Sequence, residues 1–227
     1  MTKLARDRIV TWPTQRVHSL RCVHTVVVRV WLPDRPGALG QVASRIGAVK
    51  GDVLGIEILE TGGGRVIDEL VVALADESIV ELMVNEVHAI DGVSVEHVRP
   101  TSADHLDGGL LALSLAAELA ESDIADRPRT VVDAVTRLTE SAWAMLVRRQ
   151  DVVASTGTVP SPDWVSSLLA GSRHLGDHHA TSSDLLWSDL PTSGMWLAAG
   201  RPDRPVHDRE RVRLDLYARI ADTLLGG

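Results

Sequence analysis

The chain has one cysteine, Cys22, and no phenylalanine. A lone cysteine excludes an internal disulfide and any cysteine-based metal cluster. With phenylalanine absent, the large rings are six tryptophans and one tyrosine, so aliphatic side chains must fill most of the interior. No apolar run reaches the roughly 18–20 residues of a membrane-spanning helix, and no signal-type apolar segment lies near the start. The expectation is a cytoplasmic protein with no membrane partner. Also missing are a Gly-x-Ser-x-Gly elbow, a phosphate-binding glycine loop with its lysine, and a dinucleotide fingerprint. Gly62-Gly63-Gly64 has neither the lysine nor the following helix of such a loop and reads as a turn. These absences point away from an enzyme and from any cofactor. Positive charge is scarce as well: 23 Lys and Arg stand against 31 Asp and Glu, a net charge of −8. That sign disfavours general nucleic-acid binding, which is built on neutralising phosphates. Only residues 1–21 dissent, where Lys3, Arg6, Arg8, Arg16 and Arg21 against Asp7 make a basic tail.

What the sequence does have is a stretch around which the rest is arranged, Leu32-Pro33-Asp34-Arg35-Pro36-Gly37-Ala38-Leu39-Gly40. The apolar run Val26 to Trp31 before it predicts a strand over Thr25 to Leu32. Leu39, Val42, Ala43, Ile46 and Val49 after it fall on one face of a helix predicted from Pro36 to Lys50. Pro33 keeps Leu32 extended, and Pro36 fits a first helical position. Gly37 removes a Cβ from the approach to the backbone. A helix start at a strand's end, with free amides near Ala38, Leu39 and Gly40, attracts carboxylates and phosphates.

Further on, the pattern predicts a strand from Val53 to Glu60, a Thr61–Gly64 hairpin turn and a strand from Arg65 to Ala75. A helix capped by Asp76 or Ser78 and a last strand from Val93 to Arg99 follow. Strand, helix, strand, strand, helix, strand is the ferredoxin-like βαββαβ order, with both helices on one face of an antiparallel sheet. The helix-covered face is expected to hold Val26, Val28, Val30, Leu54, Ile56, Ile58, Leu70 and Val72. The other face, with Val27, Arg29, Trp31, Val71 and Ala73, is too apolar for water and calls for a second copy or another domain.

The segment Val30 to Leu39, with Gly51-Asp52-Val53-Leu54 opening the second strand, resembles an ACT domain, a ferredoxin-like module that binds amino acids, often at dimer interfaces. In serine-binding members, polar side chains at the positions of Leu32, Asp34 and Asp52 hold the ligand. Two of those positions are carboxylates here and one is leucine, which argues against serine. The resemblance implies a ligand site of Leu32, Asp34, Pro36, Gly37, Ala38, Leu39, Gly40 and Asp52. Asp34 and Asp52 would grip an α-ammonium while the helix amides hold the carboxylate. The residues also allow a plainer reading: Asp34 caps the helix itself and Asp52 shapes the turn after Gly51.

The polar stretch 101–109 reads as a linker between a first domain at 22–100 and a second at 110–227. The second domain is predicted to contain helices over Leu110 to Ser122 and Pro128 to Ser141, then strands at Trp143 to Arg148 and Val152 to Ser155. A short helix from Ser161 to Leu169, strands at Ser183 to Trp187 and Met195 to Gly200, and a closing helix from Asp208 to Leu225 complete it. This order, with Met195 to Pro202 followed by Val206 to Glu210, resembles a GAF domain, a module that binds small molecules or mediates dimerisation. Trp143, Trp164, Trp187 and Trp196 are expected as core rings or as walls of a ligand pocket. His174, His178 and His179 lie among glycine, serine and aspartate and read as a solvated loop, so no metal is expected. The sequence thus predicts an α+β regulatory protein, a homodimer through the ACT-like sheet, whose ligand is an amino acid or similar small carboxylate. The alternative is a ligand-free dimerisation or scaffold module serving an enzyme or sensor kinase.

Overall fold

The computed structural model describes residues 24–102, 107–165, 167, 184–202 and 204–227. Within that range the architecture is mixed α/β, with two four-stranded antiparallel sheets. The predictions for the basic tail, Cys22, the three-histidine loop and the end of the short helix after Ser161 fall outside the described residues.

In the N-terminal half the elements are β1 (His24–Pro33), α1 (Ala38–Ala48), β2 (Asp52–Gly62), β3 (Arg65–Leu74), α2 (Ile79–His88) and β4 (Ser94–Thr101). The strand order is β2-β3-β1-β4, as a split βαββαβ unit requires. Gly63 and Gly64, at φ 58° and 74°, make the two-residue hairpin between Gly62 and Arg65. Val26, Val28, Val30, Leu70 and Val72 are buried beneath Ala38, Val42 and Ile46 of α1 and Met83 and Val87 of α2.

Leu54, Ile56 and Ile58 are not part of that core; each is about half exposed. Two features explain the failed expectation. β2 is an edge strand, and register shifts at Val53/Gly55 and Ile58/Glu60 break its alternation. Leu59 is the β2 residue that is buried instead. The opposite sheet face is closed by the same chain: Val27 and Ile67 are 0% and 1% exposed there, and Arg29 is 2% exposed. A dimer through this sheet can therefore use only its edges.

The C-terminal half contains α3 (Gly108–Glu121), α4 (Arg127–Thr139), β5 (Trp143–Arg148), β6 (Asp151–Gly157), β7 (Leu185–Leu190), β8 (Met195–Gly200) and α5 (Asp208–Leu225). Its sheet order is β6-β5-β8-β7. Asp107 caps α3 by accepting from Gly109 and Leu110 amides, so the helix starts two residues before its predicted place. Leu115, Leu119, Val131, Val135, Leu214 and Tyr217 pack on Leu146, Leu186 and Leu197. The sheet's other face carries Met145, Val147 and Ala198, with Trp143, Trp187 and Trp196 half-buried beside them. Trp164 is exposed, so three of the four rings keep their expected packing role.

Candidate functional site

β1 ends at Pro33, opposite Arg65, and the chain turns over the end of the sheet into α1. The Asp34 amide donates to the Gly64 carbonyl at 2.9 Å, which ties the turn to the β2–β3 hairpin. Gly37 is the N-cap of α1 in the left-handed region, φ 87°, and no side chain caps the helix. Pro36 stands two residues before the helix rather than in its first position, so glycine sets the helix direction. Asp34 is exposed and makes no capping bond. The Ala38 amide is taken within the turn, donating to the Arg35 carbonyl at 3.2 Å. A Cβ at residue 37 would meet nothing within 4 Å. Gly37→Ala therefore tests backbone conformation alone, and a loss of about 1 kcal/mol in urea unfolding is expected from the left-handed geometry.

The structure separates the residues of the sequence-based site. Leu32 and Ala38 are buried in the helix-side core, and Leu39 packs against it. Gly37 and Gly40 line a groove of 480 Å3 between α1 and the α2–β4 turn, with Arg35 from the turn, Gln41, Ser44 and Arg45 along the helix and Ala89, Ile90 and Asp91 opposite. Asp34 and Pro36 are exposed outside this lining. Asp52 is the exposed first residue of β2, opposite Ala73, whereas Pro33 is opposite Arg65. Asp34 and Asp52 thus flank opposite ends of β3, about 26 Å apart at ~3.3 Å per residue. Within one chain they do not grip the same ammonium.

A second constellation lies where the closed sheet face meets the C-terminal half, and sequence reasoning missed it. Arg29 of β1 donates to Glu69 of β3 at 2.7 Å and to both oxygens of Glu210 of α5 at 3.3 and 3.4 Å. Glu96 of β4 is 3.7 Å from Arg29. Glu210 also accepts from Arg201 at 2.9 and 3.0 Å and from the His207 amide at 2.9 Å. His207 places Nδ1 3.1 Å from Glu60 and Nε2 3.1 Å from Glu96, while the Trp31 indole donates to Glu96 at 2.7 Å. Arg204 reaches Glu140 at 2.7 Å and His97 at 3.3 Å, and Arg99 also pairs with Glu140. Arg213 and Arg209 both meet Glu57.

Burial opposes the charges of Arg29, Glu96, His207 and Glu210, and pairing overrides it at each. Burial would raise the Glu210 carboxyl, but hydrogen bonds from Arg201 and the charges of Arg29 and Arg201 bring it down to about 2. Burial would lower His207, yet the bond and charge of Glu96 and the bond to Glu60 raise it. His97 goes the other way: burial and the charges of Arg29 and Arg204 lower it to about 4. Beside the joint runs a cleft of 740 Å3, lined by the β2 edge at Glu57 to Thr61 and by Ala112, Val212, Arg213 and Leu216. Gly108 at the start of α3 has no Cβ, and Arg213 occupies that space. Such an arrangement ties the two halves together through ion pairs. Among the described residues no group of three metal-ligating side chains occurs, and no helix is long and apolar enough to cross a membrane.

No curated protein matches the chain. Among solved structures, the ACT domain from a GTP pyrophosphokinase of Chlorobium tepidum is similar at 14% identity, covering 36% of this chain and 91% of its own, with a TM-score of 0.29. An unknown protein from Galdieria sulphuraria is similar at 13% identity over 78% of each chain, with a TM-score of 0.31. Residues 26–92 match the family model of the ACT domain, which marks the N-terminal half as a module of the regulatory, small-ligand-binding kind.

Proposed function

We propose that this chain is a non-enzymatic regulatory protein that binds an amino acid, or a similar small carboxylate, at the start of α1 and passes occupancy to its C-terminal half. The observation that carries this reading is the glycine-led helix start without a side-chain cap, opening beside a polar groove. Amides at such an end, with the helix dipole behind them, favour a carboxylate. The route of transmission is short. Trp31 stands two residues before Pro33, on the strand that enters the turn, and touches both Glu96 and the His207 ring, whose centroid is 6.0 Å away. A shift of the turn therefore reaches the joint through β1. We read the C-terminal half as GAF-like, on the strength of its antiparallel sheet with three helices against one face.

The edge strand β2 supports a homodimer. Leu54, Ile56 and Ile58 alternate in exposure along it, and an antiparallel edge is complementary to itself about a two-fold axis. Pairing centred near Ile56 would set Leu54 against Ile58 of the second copy. It would also carry Asp52 of the second copy toward the hairpin to which Asp34 is tied.

Thermal melts of the full chain against the twenty amino acids test the proposal. At saturating concentration a ligand present at about 100 times its Kd adds about 2.7 kcal/mol, a clear rise in Tm, and Asp34→Ala should diminish it. The same exposed β2 edge favours a second reading, a scaffold or dimerisation module for an enzyme or sensor kinase. A firm dimer in sedimentation equilibrium with no response to any amino acid would establish that reading over the first.

A further inference from the structure

Asp68 differs from every other acidic residue of the N-terminal half. It is 2% exposed, its Oδ1 has no hydrogen-bond partner, and burial alone acts on its carboxyl, pushing its pKa up. The carboxylates of the joint are also buried, but each has cations or amides facing it.

The register locates this carboxylate. Asp68 pairs with Val30 on one side and Ile58 on the other, and Val30 belongs to the core under α1 and α2. Its side chain is therefore on the helix-covered side of β3, three residues in from Arg65, where β1 hands the chain to the turn. At the far end of the sheet, Ile46 and Leu74 meet beside Gly51. Running back eight residues along α1 from Ile46 to Ala38 covers about 12 Å, equal to roughly four residues of β3, from Leu74 to Leu70. Asp68 is one step further along that face, at the end of the sheet where β1 enters the turn to α1. On its β2 flank the cover is incomplete, because Ile58 is half exposed.

A buried carboxylate without a partner costs stability, and groups kept at such a cost cluster where a ligand uses them. A zwitterion needs two opposite poles a few ångströms apart. The start of α1 supplies the positive one. Asp34 and Asp52 are exposed and stand at opposite ends of β3, so neither supplies a desolvated negative pole from within the chain. We propose that Asp68 is the ammonium contact of the amino-acid site, seated under the uncapped start of α1. This rests on the amino-acid reading above and deepens it. The site then distinguishes α-amino acids from acids of the same shape lacking the amine, because loss of the charge-assisted bond strands Asp68 again.

The test compares the full-length wild type with Asp68→Asn, which keeps the shape and removes the charge. Melts are recorded without ligand, with each of the twenty amino acids, and with the des-amino acid matching the best responder. Ligand-free Asp68→Asn is expected to melt at or above the wild type, since an unpaired charge has been removed. Its Kd for the responding amino acid should rise by a factor of about ten or more, that is about 1.4 kcal/mol, while the des-amino acid binds both proteins alike. A responder that binds wild type and Asp68→Asn equally overturns the assignment and leaves the amino-acid reading standing. No response of the wild type to any amino acid removes that reading and this one together. If Asp68→Asn does not fold, the wild-type Asp68 carboxyl, followed by 13C NMR, serves instead. Saturation with the responder should lower its titration point, and an unmoved titration overturns the proposal.

Discussion

Replacing Glu210 by alanine is expected to lower the stability of the chain by about 3–5 kcal/mol, the usual result of removing one partner from a buried ion pair, and its Tm by on the order of 10 °C. Glu210 is 6% exposed and answers two guanidinium groups, Arg29 and Arg201, that are 2% and 3% exposed. Without it Arg29 keeps Glu69 and Glu96, but among the described residues Arg201 keeps only carbonyl oxygens, those of Thr139, Arg204 and Pro205. An uncompensated buried cation is the main cost, so a double variant, Glu210→Leu with Arg201→Met, should recover much of the loss. Titration gives an independent check. The folded pKa, about 2, lies below the ordinary 4.5, so the stabilisation is present above pH 4.5 and disappears as pH falls from 4.5 to 2. That shift corresponds to about 3 kcal/mol, in line with the mutational figure. Urea unfolding of wild type and Glu210→Gln at pH 7 and pH 3 should show the variant's dependence on acid to be the shallower.

The joint that Glu210 centres on explains which parts of the molecule could be read from its sequence. The βαββαβ order was legible because each element carries its own local signal: alternation in β1 and β3, the 3.6-residue spacing of Val42, Ile46 and Val49, and glycine pairs at the hairpin. The apolar second face of the sheet was legible too, and so was the need to cover it. What covers it was not, because Glu57, Glu60, Glu69 and Glu96 occupy positions at which a strand with one wet face normally carries charge. Glu69 meets Arg29 and Arg99 within the same sheet, but the partners of Glu57, Glu60 and Glu96 from the C-terminal half, His207, Arg209 and Arg213, lie more than 100 residues away, beyond the reach of any periodicity. One clue was available: Arg29 stands among valines on a strand whose two faces are both apolar, where a guanidinium must find carboxylates. The misreading of β2 has a different source. Its bulges at Leu54 and Leu59 shift the alternation, and sequence alone does not reveal a bulge where no positive φ is needed.

The candidate site shows the same division. Local chemistry located the turn, and Gly37 fulfils it with a left-handed backbone that only glycine adopts without strain. Leu32, Ala38 and Leu39 were included because they flank that turn, and they prove to be packing residues. Asp52 was joined to Asp34 by analogy with related sites, but strand register places it at the other end of the sheet. Asp68, in contrast, alternates into the core side of a strand whose other members there are Leu70, Val72 and Leu74. A charge at that phase of the pattern was a visible irregularity.

His207 should make the joint weaken as pH rises through the neutral range, the reverse of the Glu210 effect. Both ring nitrogens face carboxylates, Glu60 on β2 and Glu96 on β4, and both can donate only when the imidazole is charged. Arg29 on β1 opposes that charge, but the carboxylates prevail and the folded pKa is raised above 6.5. A raised pKa means that the stabilisation is complete below pH 6.5 and is lost as pH climbs through the folded value. His97, held down to about 4, acts in the opposite direction: between pH 4 and 6.5 the unfolded chain takes up a proton that the folded one refuses, so stability rises with pH. Together with Glu210 at still lower pH, the joint should give a stability profile that climbs to about pH 6.5 and then declines. His207→Gln removes the descending limb only. At pH 6 it should cost about 1.5–3 kcal/mol, the worth of hydrogen bonds to charged groups, and above the wild-type folded pKa the two proteins should converge. Urea midpoints measured from pH 5 to 9 decide it: a wild-type profile parallel to that of His207→Gln across this range would mean that the imidazole is not charged between Glu60 and Glu96. Because Trp31 donates to the same Glu96 oxygen that His207 approaches, a ligand that moves β1 at the turn should also move this descending limb along the pH axis.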